Sequence, residues 1–147
     1  MDLQQSAVDL IQARFGDQVL GLGEHAAQKW INVRPGKIVE ILRLLRDELG
    51  YDMLTDLTAV DAMNLGQPER FAVVYQLYSL KTDQRCRVKA WVPESQPAID
   101  SVSPLWKSAP WAEREVWDMF GIQFRGHPGL KRILLPENYE GHPLRKD

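Results

Sequence analysis

The sequence RFAVVYQLYSLKTDQRCRVKAWV, residues 70–92, carries the clearest structural pattern in the chain. In its first half, 70–80, two sets of apolar side chains alternate, so we expect a strand that is covered on both faces. In its second half, 84–92, inward-facing apolar residues alternate with outward-facing basic residues: Cys86, Val88 and Ala90 against Arg85, Arg87 and Lys89. The three-residue link 81–83 between the halves predicts an antiparallel hairpin.

The residues before this hairpin predict three further strands and two helices, and the clearest of these strands covers 54–61. The stronger helix follows Pro35-Gly36, carries apolar residues on one face and ends at Gly50. A shorter helix begins near Leu3 and stops at Gly16, and two short strands are expected at Leu20 and over 30–33. These elements predict an α+β fold, with helices packed on one side of a mixed, mostly antiparallel sheet.

The composition of the chain changes after residue 92. Seven of the nine prolines and four of the five tryptophans lie from Trp91 onward. Proline interrupts periodic structure, so we expect an irregular segment with one helix, from Pro110 to about Phe120. We therefore divide the chain into an α+β part, 1–92, and a C-terminal docking segment, 93–147, within one structural domain. The segment's aromatic side chains must pack on this domain or on another protein.

Length and composition exclude several classes of protein. The chain has 147 residues and a net charge of −2, which argues against nucleic acid as a main partner. A single cysteine, Cys86, excludes an internal disulfide framework and an iron–sulfur cluster held by this chain alone. No apolar run approaches the roughly 18 residues of a membrane helix, and the start resembles neither a secretory signal nor a transit peptide. We expect a soluble, unprocessed chain in a reducing compartment.

Three patterns suggest chemistry that their contexts do not favour. The motif GLGEHA, residues 21–26, matches a dinucleotide fingerprint, but no long helix follows it, so we expect a simple turn. Gly-His-Pro occurs at 126–128 and again at 141–143; two histidines without a close third ligand favour two similar turns over zinc. The basic row of 85–89 is better explained by a solvated sheet face than by an acidic partner.

The densest charged cluster lies on the predicted C-terminal helix, at Glu113, Arg114, Glu115 and Asp118. With His127 these carboxylates could perform acid–base chemistry; alternatively, they form a solvated helix face or a patch that docks a partner. An apolar stripe on the same helix should face the core, so we expect the charged face to point outward.

The same helix carries a resemblance to a known family. The run WAEREVWDMFGI, residues 111–122, is followed by Phe124, GHP at 126–128, KRIL at 131–134 and GHPLRKD at 141–147. This pattern resembles the C subunit, or 30 kDa subunit, of respiratory NADH:quinone oxidoreductase, complex I. Residues 57–61 and 70–75 resemble weaker strand motifs of the family, so the resemblance covers about 54 to the end.

The resemblance implies a non-catalytic, peripheral-arm subunit of a proton-translocating complex. It implies no catalytic, cofactor or metal residues in this chain, with FMN and iron–sulfur clusters carried by other subunits. The implied partner is the large quinone-site (49 kDa, D-type) subunit, on the cytoplasmic side of the bacterial inner membrane, which the chain reaches only through the complex. The implied interface residues are Trp111, Glu113, Arg114, Glu115, Asp118, Phe120, His127, Lys131, Arg132, His142, Arg145 and Lys146.

Two other functions stay open at this point. The equivalent subunit of a membrane-bound [NiFe] hydrogenase or related dehydrogenase would share the fold and change the electron donor. A stand-alone acid–base enzyme would use Glu115, Asp118 and His127. Because family members usually continue beyond the position of Asp147, we also expect the tail's partner contacts to be incomplete in this chain.

Overall fold

A computed structural model describes residues 3–26, 28–63, 69–129 and 142. The helices are α1 (Leu3–Phe15), α2 (Ile38–Leu49) and α3 (Ala109–Phe120). The strands are β1 (Val19–His25), β2 (Gln28–Val33), β3 (Met53–Asp61), β4 (Phe71–Ser79), β5 (Gln84–Val92), β6 (Ala98–Asp100) and β7 (Gln123–Arg125). Short 3₁₀ turns at Gly16–Gln18 and Pro35–Lys37 precede β1 and α2.

Five strands form one mixed sheet in the order β1-β2-β5-β4-β3. Neighbouring strands are antiparallel except β2 and β5, which run parallel. The predicted hairpin is confirmed, with Tyr75 opposite Val88 and Ser79 opposite Gln84. The predicted α+β class is therefore confirmed, and its one parallel pair makes the sheet mixed.

The main core lies between one face of this sheet and the helices. The inner face carries the alternating residues of β4 and β5, including Tyr75 and Val88, both fully buried. From α2, the core receives Ile38, Ile41, Leu42 and Leu45. Gly50 adopts φ +77° and ends α2 in the left-handed conformation that glycine tolerates best.

The glycine motif of residues 21–26 lies mainly on strand β1, so the predicted simple turn is wrong. β1 and β2 form a hairpin, and Gly23 lies opposite Trp30. A Cβ atom at Gly23 would overlap the indole ring of Trp30. The glycine therefore leaves room for a cross-strand tryptophan, a contact that the motif itself does not indicate.

Much of the C-terminal segment packs on the sheet domain. Ile99, Val102, Ile122 and Phe124 are buried in the same hydrophobic cluster as the inner sheet face. In the chain, β6 precedes α3 and β7 follows it, and the two strands pair with each other in parallel. The sequence did not predict either strand. Most of the aliphatic side chains of 98–124 are thus covered within this chain.

Candidate functional site

Helix α3, which carries the most specific sequence motif, lies against β3. Pro110 stands in its first turn, where a missing N–H costs nothing. Ala109, Val116 and Phe120 are buried in the main core. Gly121, at φ +77°, ends the helix as predicted. The apolar stripe therefore fixes which side of α3 faces outward.

Glu113 is a fully buried carboxylate on α3. Its Oε1 accepts a hydrogen bond from the Ser101 hydroxyl at 2.6 Å, and its Oε2 accepts one from the Val102 N–H at 2.8 Å. Burial raises the pKa of Glu113 to about 7, while these two hydrogen bonds act in the opposite direction. The side chain thus joins α3 to the irregular segment before it.

His127 fastens the first Gly-His-Pro turn to the start of α3. Its Nε2 lies 2.8 Å from the Pro110 carbonyl oxygen, and its Nδ1 accepts a hydrogen bond from the Gly129 N–H at 2.9 Å. Because Nδ1 is an acceptor and Nε2 faces an acceptor, these contacts assign the neutral tautomer with its proton on Nε2. The Glu113 Oε1 lies 4.0 Å from the same Nε2.

His142, from the second Gly-His-Pro copy, lies near the other end of the same helix. Its Nδ1 is 3.0 Å from the Asp118 carbonyl oxygen. Its ring centroid is 5.3 Å from that of Trp117, at an interplanar angle of 55°. The two histidines of the repeat therefore contact backbone carbonyls at two points along α3.

The prediction that the charged face of α3 points outward is wrong for two of its carboxylates. Glu113 and Asp118 are both fully buried, and Phe120 is buried as predicted for the core stripe. For Glu113 the physical reason is local: 101–102 fold over the helix and supply the donors that a buried carboxylate requires. Helical spacing alone does not reveal such cover.

The outward side of α3 instead presents Trp111, which is 57% exposed. Its indole N–H donates to the Glu115 Oε1 at 2.8 Å. The Arg114 guanidinium carbon lies 5.6 Å from the centre of the Trp111 ring. We call these three residues the Trp111 cluster. It displays a large aromatic side chain in a fixed orientation.

Four of the predicted interface residues, Lys131, Arg132, Arg145 and Lys146, lie outside the described residues. The fold does not place the predicted acid–base pair, Glu115 and Asp118, as the carboxylates beside His127. The carboxylate that approaches the imidazole is Glu113, and Asp118 is buried elsewhere on the helix. Sequence reasoning also missed Ser101 and Val102, because serine and valine in an irregular stretch carry no recognisable signal.

Three candidate features remain: the cysteine, a metal site and a membrane-spanning helix. Cys86 is buried as predicted, and burial raises the pKa of its thiol to about 12. No group of three or more potential metal ligands occurs among the described residues. In the same part of the chain, no helix combines the length and apolar character needed to span a membrane.

Comparisons with known proteins give consistent matches. The C subunit of NADH-quinone oxidoreductase from Citrifermentans bemidjiense is 48% identical over 141 residues, covering 96% of this chain and 86% of the relative. The corresponding C subunit from Roseiflexus castenholzii is 48% identical over 139 residues, covering 93% of this chain and 79% of the relative.

Two solved structures are similar. The trypsin-resistant fragment (1–134) of Nqo5 has a TM-score of 0.77 and 31% identity, covering 88% of this chain and all of the fragment. The membrane-bound sulfane sulfur reductase, an archaeal respiratory membrane complex, matches with a TM-score of 0.71 over 92% of this chain and 80% of the matched chain. At 22% identity the latter shows a shared fold alone. Residues 31–147 match the family model described as the 30 kDa subunit of respiratory-chain NADH dehydrogenase, and the chain belongs to that family.

Proposed function

We propose that this chain is a non-catalytic, peripheral-arm subunit of a proton-translocating NADH:quinone oxidoreductase. It docks on the large quinone-site (49 kDa, D-type) subunit through α3 and the turns that follow it. The names of the two bacterial relatives support NADH as the electron donor and a quinone as the acceptor. In the complex, the chain lies on the cytoplasmic side of the bacterial inner membrane, and other subunits hold the FMN and the iron–sulfur clusters.

The observation that carries the docking role is the Trp111 cluster. Trp111 stays 57% exposed although most other large hydrophobic side chains of the described residues are at least partly buried. Contacts to Arg114 and Glu115 restrict its rotamers before any partner arrives. Tryptophan and arginine are the residues most enriched among energetically dominant interface contacts, and a pre-ordered side chain loses less entropy on binding.

The geometry around His127 supports a positioning role for the rest of the motif. Both ring nitrogens contact backbone groups, and the nearby Glu113 carboxylate is held by Ser101 and Val102. A general base needs a free lone pair within reach of substrate, and here the Nδ1 lone pair accepts the Gly129 N–H. These groups hold α3 in the orientation that displays Trp111.

The first experiment purifies the tagged chain from its native membranes in mild detergent and assays quinone reduction. Inhibitor-sensitive, NADH-driven activity in the purified assembly is the expected result. Hydrogen-driven activity would mean that hydrogen, not NADH, is the electron donor, and would indicate a [NiFe] hydrogenase-type complex. A chain that purifies alone and turns over substrate would contradict the docking function.

The sharper test reverses one charge in the Trp111 cluster. Arg114→Glu removes the cation beside Trp111 and places a carboxylate next to Glu115, so we expect at least about tenfold less chain in the purified complex. Arg43→Glu, at an exposed position on α2, is the matched control and should assemble normally. Circular dichroism should show unchanged folding for both variants. Equal assembly of the two would contradict docking through this cluster.

A further inference from the structure

The outer face of the sheet, opposite the helices, carries a second organised surface. It forms an open groove of about 630 Å³, whose lining includes Trp30 and Asn32 of β2, Val60 of β3, and Arg87, Lys89 and Trp91 of β5. We call this set the outer-face groove. Because neighbouring residues in a strand point to opposite faces, these side chains lie away from the core that α3 covers.

Positive charge is concentrated in the groove and beside it. The Lys89 Nζ lies 3.8 Å from the centre of the Trp30 ring, within cation–π range. The Arg87 guanidinium faces the Gln76 side-chain amide and donates to its oxygen once that amide is turned to the orientation its neighbours require. The Arg85 guanidinium carbon lies 5.4 Å from the centre of the Tyr78 ring. Partial burial and then repulsion by Arg87 lower the pKa of Lys89. An anion placed here would relieve that repulsion.

The chain's own described carboxylates do not neutralise this charge. Glu24 lines the groove from β1, and Asp56 lies opposite Gln76 on β3. Within the described ranges, no carboxylate oxygen lies within 4.0 Å of the side-chain nitrogens of Arg85, Arg87 or Lys89. These cations are therefore held by aromatic and amide groups, with capacity to bind carboxylates.

The floor of the groove is ordered and its margin at β3 is apolar. The Trp91 indole N–H donates to the Asn32 side-chain oxygen at 2.9 Å, and Trp91 packs with Ala62 and Ala72 in a small separate cluster. At the margin, Val60 is 40% exposed and lies opposite Ala72, on the outer face of the sheet. Fixed aromatic side chains beside an exposed aliphatic side chain are typical of protein interfaces.

We propose that the outer-face groove binds an acidic segment of a neighbouring polypeptide. Carboxylates of that segment pair with Lys89 and Arg87, and its apolar side chains pack beside Trp30 and Val60. A polypeptide fits better than nucleic acid or an anionic membrane, because the chain as a whole carries a net charge of −2 and the positive patch is local. The surface is distinct from the Trp111 cluster, since the sheet separates them.

The direct test is zero-length carbodiimide coupling in the purified native assembly, followed by mass spectrometry of the linked peptides. Carbodiimide joins an amine to a carboxylate only where the two are in contact. We expect an amide link from Lys89 to an Asp or Glu in an acidic segment of another subunit.

Three variants make the result specific. Lys89→Arg should abolish the link without loss of assembly, because guanidinium keeps the charge and does not couple. Lys89→Glu should reduce retention of the chain in the complex by at least about tenfold. Lys107→Glu, at an exposed lysine of the C-terminal segment, is the matched charge reversal and should be retained normally.

The remaining outcomes would overturn the proposal. They are a Lys89 link only to Glu24 of the same chain, a link to a second copy of the chain, or no link in an assembly where other lysines couple. Normal retention of Lys89→Glu would do the same. If the assembly purifies with the chain while Lys89 stays unlinked, the groove proposal fails and the docking proposal stands. If no assembly purifies with the chain, both fail.

Discussion

At the scale of single residues, the clearest physical tension is at Glu113. A buried carboxylate favours its neutral form, yet Ser101 and Val102 donate to it and thereby favour the charged form. Burial is the larger effect, so the pKa rises from 4.5 to about 7. The junction between α3, the segment at 101–102 and the His127 turn therefore contains a group that titrates near neutral pH.

This pKa predicts a specific pH dependence of stability. Between pH 4.5 and about 7 the folded chain holds a proton on Glu113 that the unfolded chain has released, so the free energy of unfolding falls as pH rises. The difference between the folded and unfolded pKa values of Glu113 lowers the free energy of unfolding by about 3 kcal/mol, and this loss is complete above pH 7. Urea unfolding of the wild type and Glu113→Gln from pH 4 to 8 measures it.

The difference between the two proteins isolates this carboxylate, because other titrating groups are common to both. Glu113→Gln should give the flatter profile, since an amide does not ionise. If the two profiles ran parallel across that range, the raised pKa would be contradicted.

At the scale of secondary-structure elements, the start of β4 is joined to the end of β3 by a buried ion pair. Arg70 donates from Nε and Nη2 to the two carboxylate oxygens of Asp61, at 3.0 and 2.8 Å, and from Nη1 to Glu94 at 2.9 Å. The Asp61 Oδ1 also accepts the Met63 N–H. The clamp thus fixes the ends of two neighbouring strands and ties them to the segment after β5.

Removing the cation from this clamp should cost more than removing a surface cation. Arg70→Met leaves the Asp61 carboxylate buried without its guanidinium, so we expect a loss of about 3–5 kcal/mol. Arg14→Met breaks the exposed Arg14–Glu48 pair and should cost less than about 1 kcal/mol. Denaturant unfolding at pH 7 measures the stability loss of each variant. Equal losses for Arg70→Met and Arg14→Met would contradict a larger contribution from the buried ion pair.

At the scale of the whole molecule, the sheet separates two surfaces with different compositions. The Trp111 cluster lies on the outward side of α3, whose inner side shares the main core with the sheet. The outer-face groove lies on the opposite side of the same sheet. A rigid domain of this kind can contact one partner on each side and hold them in register.

Two surfaces separated by a packed sheet should contribute independently to assembly. Arg114→Glu, Lys89→Glu and the double variant are compared by competition with tagged wild type for incorporation into the complex. The free-energy losses of the single variants should add to within about 0.5 kcal/mol. A coupling above about 1 kcal/mol would mean that both residues contact one continuous interface.

Local patterns were sufficient for the hairpin and the helices. Alternation in 84–92 predicted the bounds of β5 and the burial of Cys86, because side chains of a strand alternate between faces. Pro110 and Gly121 marked the ends of α3, since each residue suits one end of a helix. The motif of residues 111–122 likewise predicted the family, which the comparisons confirmed.

Periodicity, turn residues and contiguous motifs in the sequence were thus enough for the α+β class, the inner face of the sheet, the ends of the helices and the family. The tertiary structure was needed to show that Glu113 and Asp118 are buried, that Gly23 makes room for Trp30, and that Lys89 lies over that same ring. The physical reason is that the cover and partners of these residues come from segments distant in the chain, such as Ser101 for Glu113 and β2 for Lys89. Local spacing carries no information about such partners.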